Sequence, residues 1–282
     1  MTEKIICNYF VAFIDLLGQR EKLNKYKVYD LNSFHNDDEK HRFEQYMIET
    51  IGTVADFYSS CENYFVGFEK NQNPELHKKY KEAKVIKQHY SDGVVIFITL
   101  ADCYNEVPMG ALFMMLTGCA SIIITQLAKK NPIRGGVDIG LGFEYSEGEI
   151  YGSALANAYT LESTVAEYPR IVVGGEILEI INTYLGKNER AELDDLNKRI
   201  ALGCKDLIKI DYDGKLTIDY LGDFYINNIG KQTPEIFKLA YEFVCGEMDK
   251  YLKCGNLKLT GRYSLLKKYF DDNKEKWEKL ST

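Results

Sequence analysis

FVAFIDLLG, residues 10 to 18, and VIKQHYSDGVVIFITL, residues 85 to 100, decide how this chain is read. The first is a short apolar run with β-branched and aromatic members, closed by Gly18, and fits a buried strand. Asp15 lies inside it, and a carboxylate there is costly to bury unless something pairs with it. The second stretch has two strand-like halves around Ser91-Asp92-Gly93. Asp-Gly between β-formers is a strong hairpin signal, so Asp92 falls at a hairpin tip at the end of a sheet. If the two strands are neighbours, both carboxylates emerge at one edge, where they repel unless a cation lies between them. Mg²⁺ or Mn²⁺ suits such a site, being oxygen-ligated and completed by water and substrate phosphates. Taken singly, Asp92 also reads as a turn residue and Asp15 as a strand-end cap.

Working outward, residues 20 to 42 are charged and polar, and 43 to 68 carry apolar spacing near 3.6, which predicts a helix. Residues 69 to 82 are polar, so the region from about 20 to 82 reads as a polar insertion. Val107 to Ala128 contains no charge and is long enough to span a bilayer. Thr117, Ser121, Thr125 and Gln126 dilute it, and a helix buried against a sheet is also apolar on most sides. No membrane is therefore expected as a partner. IRGGVDIGLGFEY predicts a strand with close backbone approaches. GEIYGSALANAYTLESTVAEYP becomes helical after Gly152 and ends at Pro169. RIVVG predicts a strand, EILEIINTYL a helix, and LIKIDYDGKLTIDYL a second hairpin turning at Asp213-Gly214. This order predicts an α/β or α+β sandwich with a mostly antiparallel sheet, and of the two the α+β form with flanking helices is expected. Residues 1–222 form the main domain, and 223–282 a C-terminal helical extension packed on it or on a dimer partner.

Composition removes several function classes. The 282 residues carry a formal net charge of -7, whereas a duplex-coating nucleic-acid binder is usually basic. The seven cysteines include no CxxC pair, which argues for reduced thiols and a cytoplasmic setting. The four histidines form no HExxH or HxH motif, so a zinc site or a His-based triad is poorly supported.

The succession of motifs resembles the class III nucleotidyl cyclases. VAFIDLLG is similar to their first metal strand and YSDGVVIFI to the hairpin bearing the second metal aspartate. IRGGVDIGLG resembles the strand after the central helix, and IYGSALANAYTLES the stretch leading into a helix that ends in Glu-Ser. Within that superfamily the pattern is most like the Pycsar-type pyrimidine cyclases of bacterial anti-phage defence, which share the Ser-Asp hairpin and the helix from Gly152 to Glu162. The resemblance implies a ferredoxin-like core and two metal ions held by Asp15, Asp92 and the backbone carbonyl of Leu16. It also implies phosphate contacts from the Leu17 and Gly18 amides, a homodimer with composite sites, and a nucleoside triphosphate substrate, UTP or CTP favoured. A downstream effector would sense the cyclic product.

Departures from the better-known cyclases are specific. Their ribose-orienting Asn and transition-state Arg fall at Ala156 and Thr160, and Asn157 is turned about 100° away on a helix. Arg134, Lys209 and Lys215 are candidate replacement cations, Arg134 foremost, with a structural salt bridge as its plain alternative. The purine-selecting pair falls at Ile86 and Glu149. Gln88 and Tyr90 share the strand parity of Ile86 and line either a base pocket or an ordinary sheet face. The rival readings are a non-catalytic nucleotide- or partner-binding module and an oligonucleotide-forming cyclase.

Overall fold

Alternation along FVAFIDLL becomes a strand with two occupied faces in the computed structural model, which describes residues 6–19, 37–65, 85–100, 109–186 and 192–281. In β1 (Cys7–Leu16), Phe10, Ala12, Ile14 and Leu16 enter the main core, while Tyr9, Val11 and Phe13 pack on the other side. Asp15 shares that second face by the two-residue period of a strand. The hairpin of β2 (Val85–Tyr90) and β3 (Gly93–Thr99) pairs with one side of β1, and β4 (Ile133–Ser146) pairs with the other.

α1 (Asp37–Tyr64) connects β1 to β2, and α2 (Met109–Ala128) connects β3 to β4. The spatial order β2-β3-β1-β4, all antiparallel, is the ferredoxin-like arrangement of a β-α-β-β-α-β chain. The sheet continues from β4 through β6 (Ile171–Val173) and β8 (Leu216–Ile218) to β7 (Ile208–Ile210), while β5 (Glu149–Gly152) pairs with the far end of β4. Only the β4–β6 pairing is parallel among the described strands. The molecule is thus an α+β fold with a mostly antiparallel eight-stranded sheet flanked by helices.

The two faces carry different cover. α1 and α2 pack on the first, through Phe57, Cys61, Met115, Leu116 and Ile123. The second carries α3 (Ser153–Thr160), which runs into a π-helical turn at Leu161–Val165. This layer sits directly on glycine backbone: a Cβ on Gly136 would stand 2.2 Å from the Ala158 carbonyl oxygen. The glycines of IRGGVDIGLG therefore set how closely α3 approaches the sheet.

α4 (Gly175–Gly186) follows β6, α5 (Glu192–Asp206) precedes β7, and α6 (Asp223–Asn228) follows β8. α2 is apolar all round because it is enclosed all round. It contacts the sheet, α1, α5 and α7 (Glu235–Lys253), and 72% of its most apolar window is buried inside the protein. Its length and composition alone would pass for a membrane span. α7, α8 (Leu257–Asp272) and α9 (Lys274–Glu278) add Phe237, Val244, Phe270 and Trp277 to the core that β1 enters.

The segment read as a polar insertion contains the helix expected over 43–68. α1 lies inside it and is a core helix, because Phe57 and Cys61 are fully buried beside α2. The rest of that segment, residues 20–36 and 66–82, lies outside the described residues.

Candidate functional site

Register places the site. Asp15 lies opposite Gly93 on one neighbouring strand and opposite Arg134 on the other. Directly opposed residues share a face, so one row across the sheet carries the carboxylate and the guanidinium on the α3 side. Gly93 leaves room beside Asp15. A Cβ there would be 3.3 Å from the Ile14 carbonyl oxygen and 3.4 Å from a carboxylate oxygen of Asp15. The left-handed turn residue is Ser91, with φ 52°, rather than the glycine of the Asp-Gly step.

Asp92 is tied to β1 through its backbone, as the Leu16 N–H donates to its carbonyl at 3.1 Å. The hairpin tip is also held from α1. The Tyr58 hydroxyl donates to the Ser91 carbonyl at 2.6 Å, and its ring stacks on His89 at 4.0 Å between centroids. A non-glycine residue in the left-handed region costs energy, and this contact holds the strained turn in place. Tyr58 is a positioning residue that motif reading alone does not single out.

The electrostatics of this edge are unsatisfied. Burial pushes the Asp15 carboxyl up to about 7, the charges of Asp92 and Glu162 push the same way, and Arg134 opposes them. Glu162 is buried, 3% exposed, and forms an ion pair with Arg134, Oε1 to Nε 2.5 Å. The pair is a charge contact rather than an aligned hydrogen bond, since neither atom has a partner of hydrogen-bond geometry. Burial raises the Glu162 carboxyl, against the pull of Arg134. Three carboxylates thus face one guanidinium. Glu162 is the group that site assignment from sequence omits, although a glutamate in line with Ala158 on an apolar helix stripe was the available signal.

The donor set suits a divalent cation only in part supplied by protein. Asp15 and Asp92 offer carboxylate oxygens, and the mutual repulsion at Asp15 is what a bound cation would relieve. Among the described residues no cluster of three or more His, Cys, Asp or Glu has metal-holding geometry. Water and substrate phosphates would have to complete the shell, as is usual for Mg²⁺.

Beside the carboxylates lies an aromatic cleft. Phe13, two residues before Asp15 on the same face, stacks with Tyr90 at 6.5 Å and meets Tyr159 edge-on at 5.3 Å. With Tyr151, Leu155 and Ala156 these rings wall a cleft of about 490 Å³. Ile86, Gln88 and Tyr90 all reach this side, opposite Phe97, Val95 and Gly93. Gln88 lies beside Tyr90 on this face, and its Oε1 is buried without a partner. Glu149 sits at the β4–β5 turn, where the Ser146 and Tyr145 hydroxyls hold its carboxyl below the usual range and its charge acts on Tyr90.

Other expected residues are not brought here. The Leu17 amide is committed elsewhere, donating to the Pro132 carbonyl at 2.8 Å, which leaves Gly18 of the two proposed phosphate donors. Lys209 is on the opposite edge strand, paired with Asp211 at 2.8 Å, and Lys215 lies at the neighbouring turn. Neither can replace a cation beside Asp15. Asn157 turns aside as its helical position implies and donates to the buried Asp138 at 3.1 Å.

No protein-family profile matches this chain, and no curated protein matches it. Among solved structures it is similar to a class III adenylyl cyclase-like ATP-binding protein from Pseudomonas aeruginosa, at TM-score 0.42 and 15% identity. The similarity covers 72% of this chain and spans 40% of that one.

Proposed function

We propose that this chain is a metal-dependent nucleotidyl cyclase that binds a nucleoside triphosphate across the Asp15–Asp92 edge and the adjoining aromatic cleft. The supporting observation is the shared face of β1, which presents Phe13 to the cleft and Asp15 to Gly93 and Arg134. In the reaction the ribose 3′-oxygen attacks the α-phosphorus, the bond to pyrophosphate breaks, and the hydroxyl proton passes to solvent. Asp15, Asp92 and the Leu16 carbonyl would hold the divalent ions, which would neutralise the triphosphate charge. Gly18 donates its amide to a phosphate oxygen, and Arg134 exchanges Glu162 for the leaving pyrophosphate. The stacked rings hold the base, with Gln88 offering an unpartnered oxygen to a base amino or imino group. That offer, with Ile86 in place of a charged selector, favours UTP or CTP. A cyclic pyrimidine nucleotide acting on an effector in anti-phage defence is the corresponding cellular role.

The exposed rings of the second face support a homodimer. Tyr151 and Tyr159, which line the cleft, and Tyr145 near the β4–β5 turn are each more than half exposed. A second copy docked on this face would cover them and complete the site.

A non-catalytic nucleotide-binding module is the second reading. Ala156 and Thr160 carry no ribose amide or cation, the Thr160 hydroxyl bonds back to Ala156, and Arg134 is held by Glu162. Incubating the protein with each ribonucleoside triphosphate and Mn²⁺ or Mg²⁺, and resolving products by chromatography, separates the two. A cyclic mononucleotide that disappears in Asp15→Asn and Asp92→Asn supports the enzyme. Binding without product supports the module, and an oligonucleotide product replaces both readings.

A further inference from the structure

A second cavity, of about 440 Å³, lies between the exit of β1 and the C-terminal helices α7 and α8. It is separate from the aromatic cleft. Its helical wall belongs to the layer packed on α2, whereas Asp15 projects from the opposite face of the sheet. Its volume falls in the range of small-molecule sites.

Three features give it chemistry. Lys130 and Arg262 both line it, and neither is in an ion pair with the described residues, while Lys250 beside them is neutralised by Glu247 at 2.8 Å. Two unengaged cations at one half-open cavity, against the single unpaired carboxylate of Glu167 on its wall, attract an anion. Tyr251 and Tyr263 line the same wall, their rings stacked at 5.6 Å, and offer flat apolar surface. Gln19 also lines the cavity. It is 2% exposed, and its Oε1 is buried without a hydrogen-bond partner. A buried amide oxygen left without a donor is destabilising, so it marks a place where an N–H or O–H from a ligand is favourable.

We propose that this cavity is a second ligand site, for a small phosphorylated molecule of nucleoside monophosphate size. The phosphate lies between Lys130 and Arg262, the flat ring lies against the tyrosines, and a donor group faces Gln19. Leu17 and Gly18 form part of the wall, two and three residues beyond Asp15. Occupancy therefore bears on the carboxylate edge and gives the C-terminal helices a regulatory role; this coupling, but not the binding, rests on the cyclase reading.

The test is calorimetric titration in EDTA, which disables the metal edge, with AMP, GMP, CMP, UMP, inorganic phosphate and pyrophosphate as probes. At least one monophosphate is expected to bind saturably below about 1 mM, a free energy of roughly 4 kcal/mol. Arg262→Glu and Lys130→Glu, both at surface-reaching side chains, should each weaken it at least tenfold, and Asp15→Asn should leave it within twofold. Absence of binding by every monophosphate overturns the proposal. So does binding lost in Asp15→Asn but kept in both charge reversals, which would place the ligand in the aromatic cleft. Phosphate or pyrophosphate binding as tightly as any monophosphate would overturn the assignment of a ring subsite. None of these readouts requires turnover, so failure of the cyclase reading leaves them interpretable.

Discussion

Asp15 and Asp211 are aspartates of the same sheet with opposite surroundings. Burial would raise Asp211 too, but Lys209 at 2.8 Å, the Tyr168 hydroxyl and Arg170 at 3.0 Å hold its carboxyl down to about 2. The Tyr212 amide adds another donor at 3.0 Å, and Arg170 reaches on to Asp213. Asp15 has no such shell; its nearest charged neighbours are mostly of its own sign, and it is pushed up to about 7. A satisfied buried carboxylate belongs to the architecture, here fastening the β7–β8 hairpin to the segment before β6. A half-buried one pressed by like charges beside a cleft has surroundings that a bound cation would relieve.

Breaking the satisfied side should have the largest effect. Asp211→Ala strands Lys209 and part of Arg170 in a buried setting and is expected to cost about 3–5 kcal/mol, measured by urea unfolding. The unsatisfied side should respond in reverse. In EDTA at pH 8, Asp15→Asn removes a repelled charge and is expected to raise stability by about 1–3 kcal/mol, discounted for partial exposure. The same variant should lose metal-dependent turnover. A destabilised Asp15→Asn protein would put Asp15 in the architectural class with Asp211.

Acid sharpens the contrast. Asp211 is lowered from 3.8 to about 2, so its stabilisation is complete above the unfolded value and is lost as pH falls through the folded one. Between pH 5 and pH 2.5 the native protein should lose about 1.5 kcal/mol more than Asp211→Asn, read from urea midpoints at each pH. The smallest effect concerns the support of Asp92. Tyr58→Phe deletes the bond to Ser91 and should cost about 1 kcal/mol while weakening Mn²⁺ binding about tenfold in calorimetry. Unchanged Mn²⁺ affinity would remove Tyr58 from the site.

Much of the fold was legible because it depends on short-range patterns. The period of β1, the hairpin around Asp92 and the glycine-rich β4 are each local features of a dozen residues or so. α1 was harder to place, since its core contacts lie at Phe57 and Cys61 and much of its remaining surface is polar. The helix α5 lies in a stretch that the motifs pass over, although its amphipathic pattern was available. The ion pair of Arg134 with Glu162 joins a strand to a π-helical turn 28 positions later in sequence, and nothing local in either segment names the other.

The sequence by itself determined that Asp15 lies in a buried strand and Asp92 at a hairpin tip, because alternation sets the face of Asp15 and the turn sets the position of Asp92; that the two strands are neighbours came from the sheet order. Only the tertiary structure decided what surrounds them. Strand order brought Arg134 beside Asp15 and sent Lys209 to the opposite edge, helix packing supplied Glu162 and Tyr58, and the C-terminal helices walled a cavity that Gln19 also lines. Periodicity is a property of neighbours along the chain, whereas the charge and hydration of a site depend on groups that only long-range packing brings together.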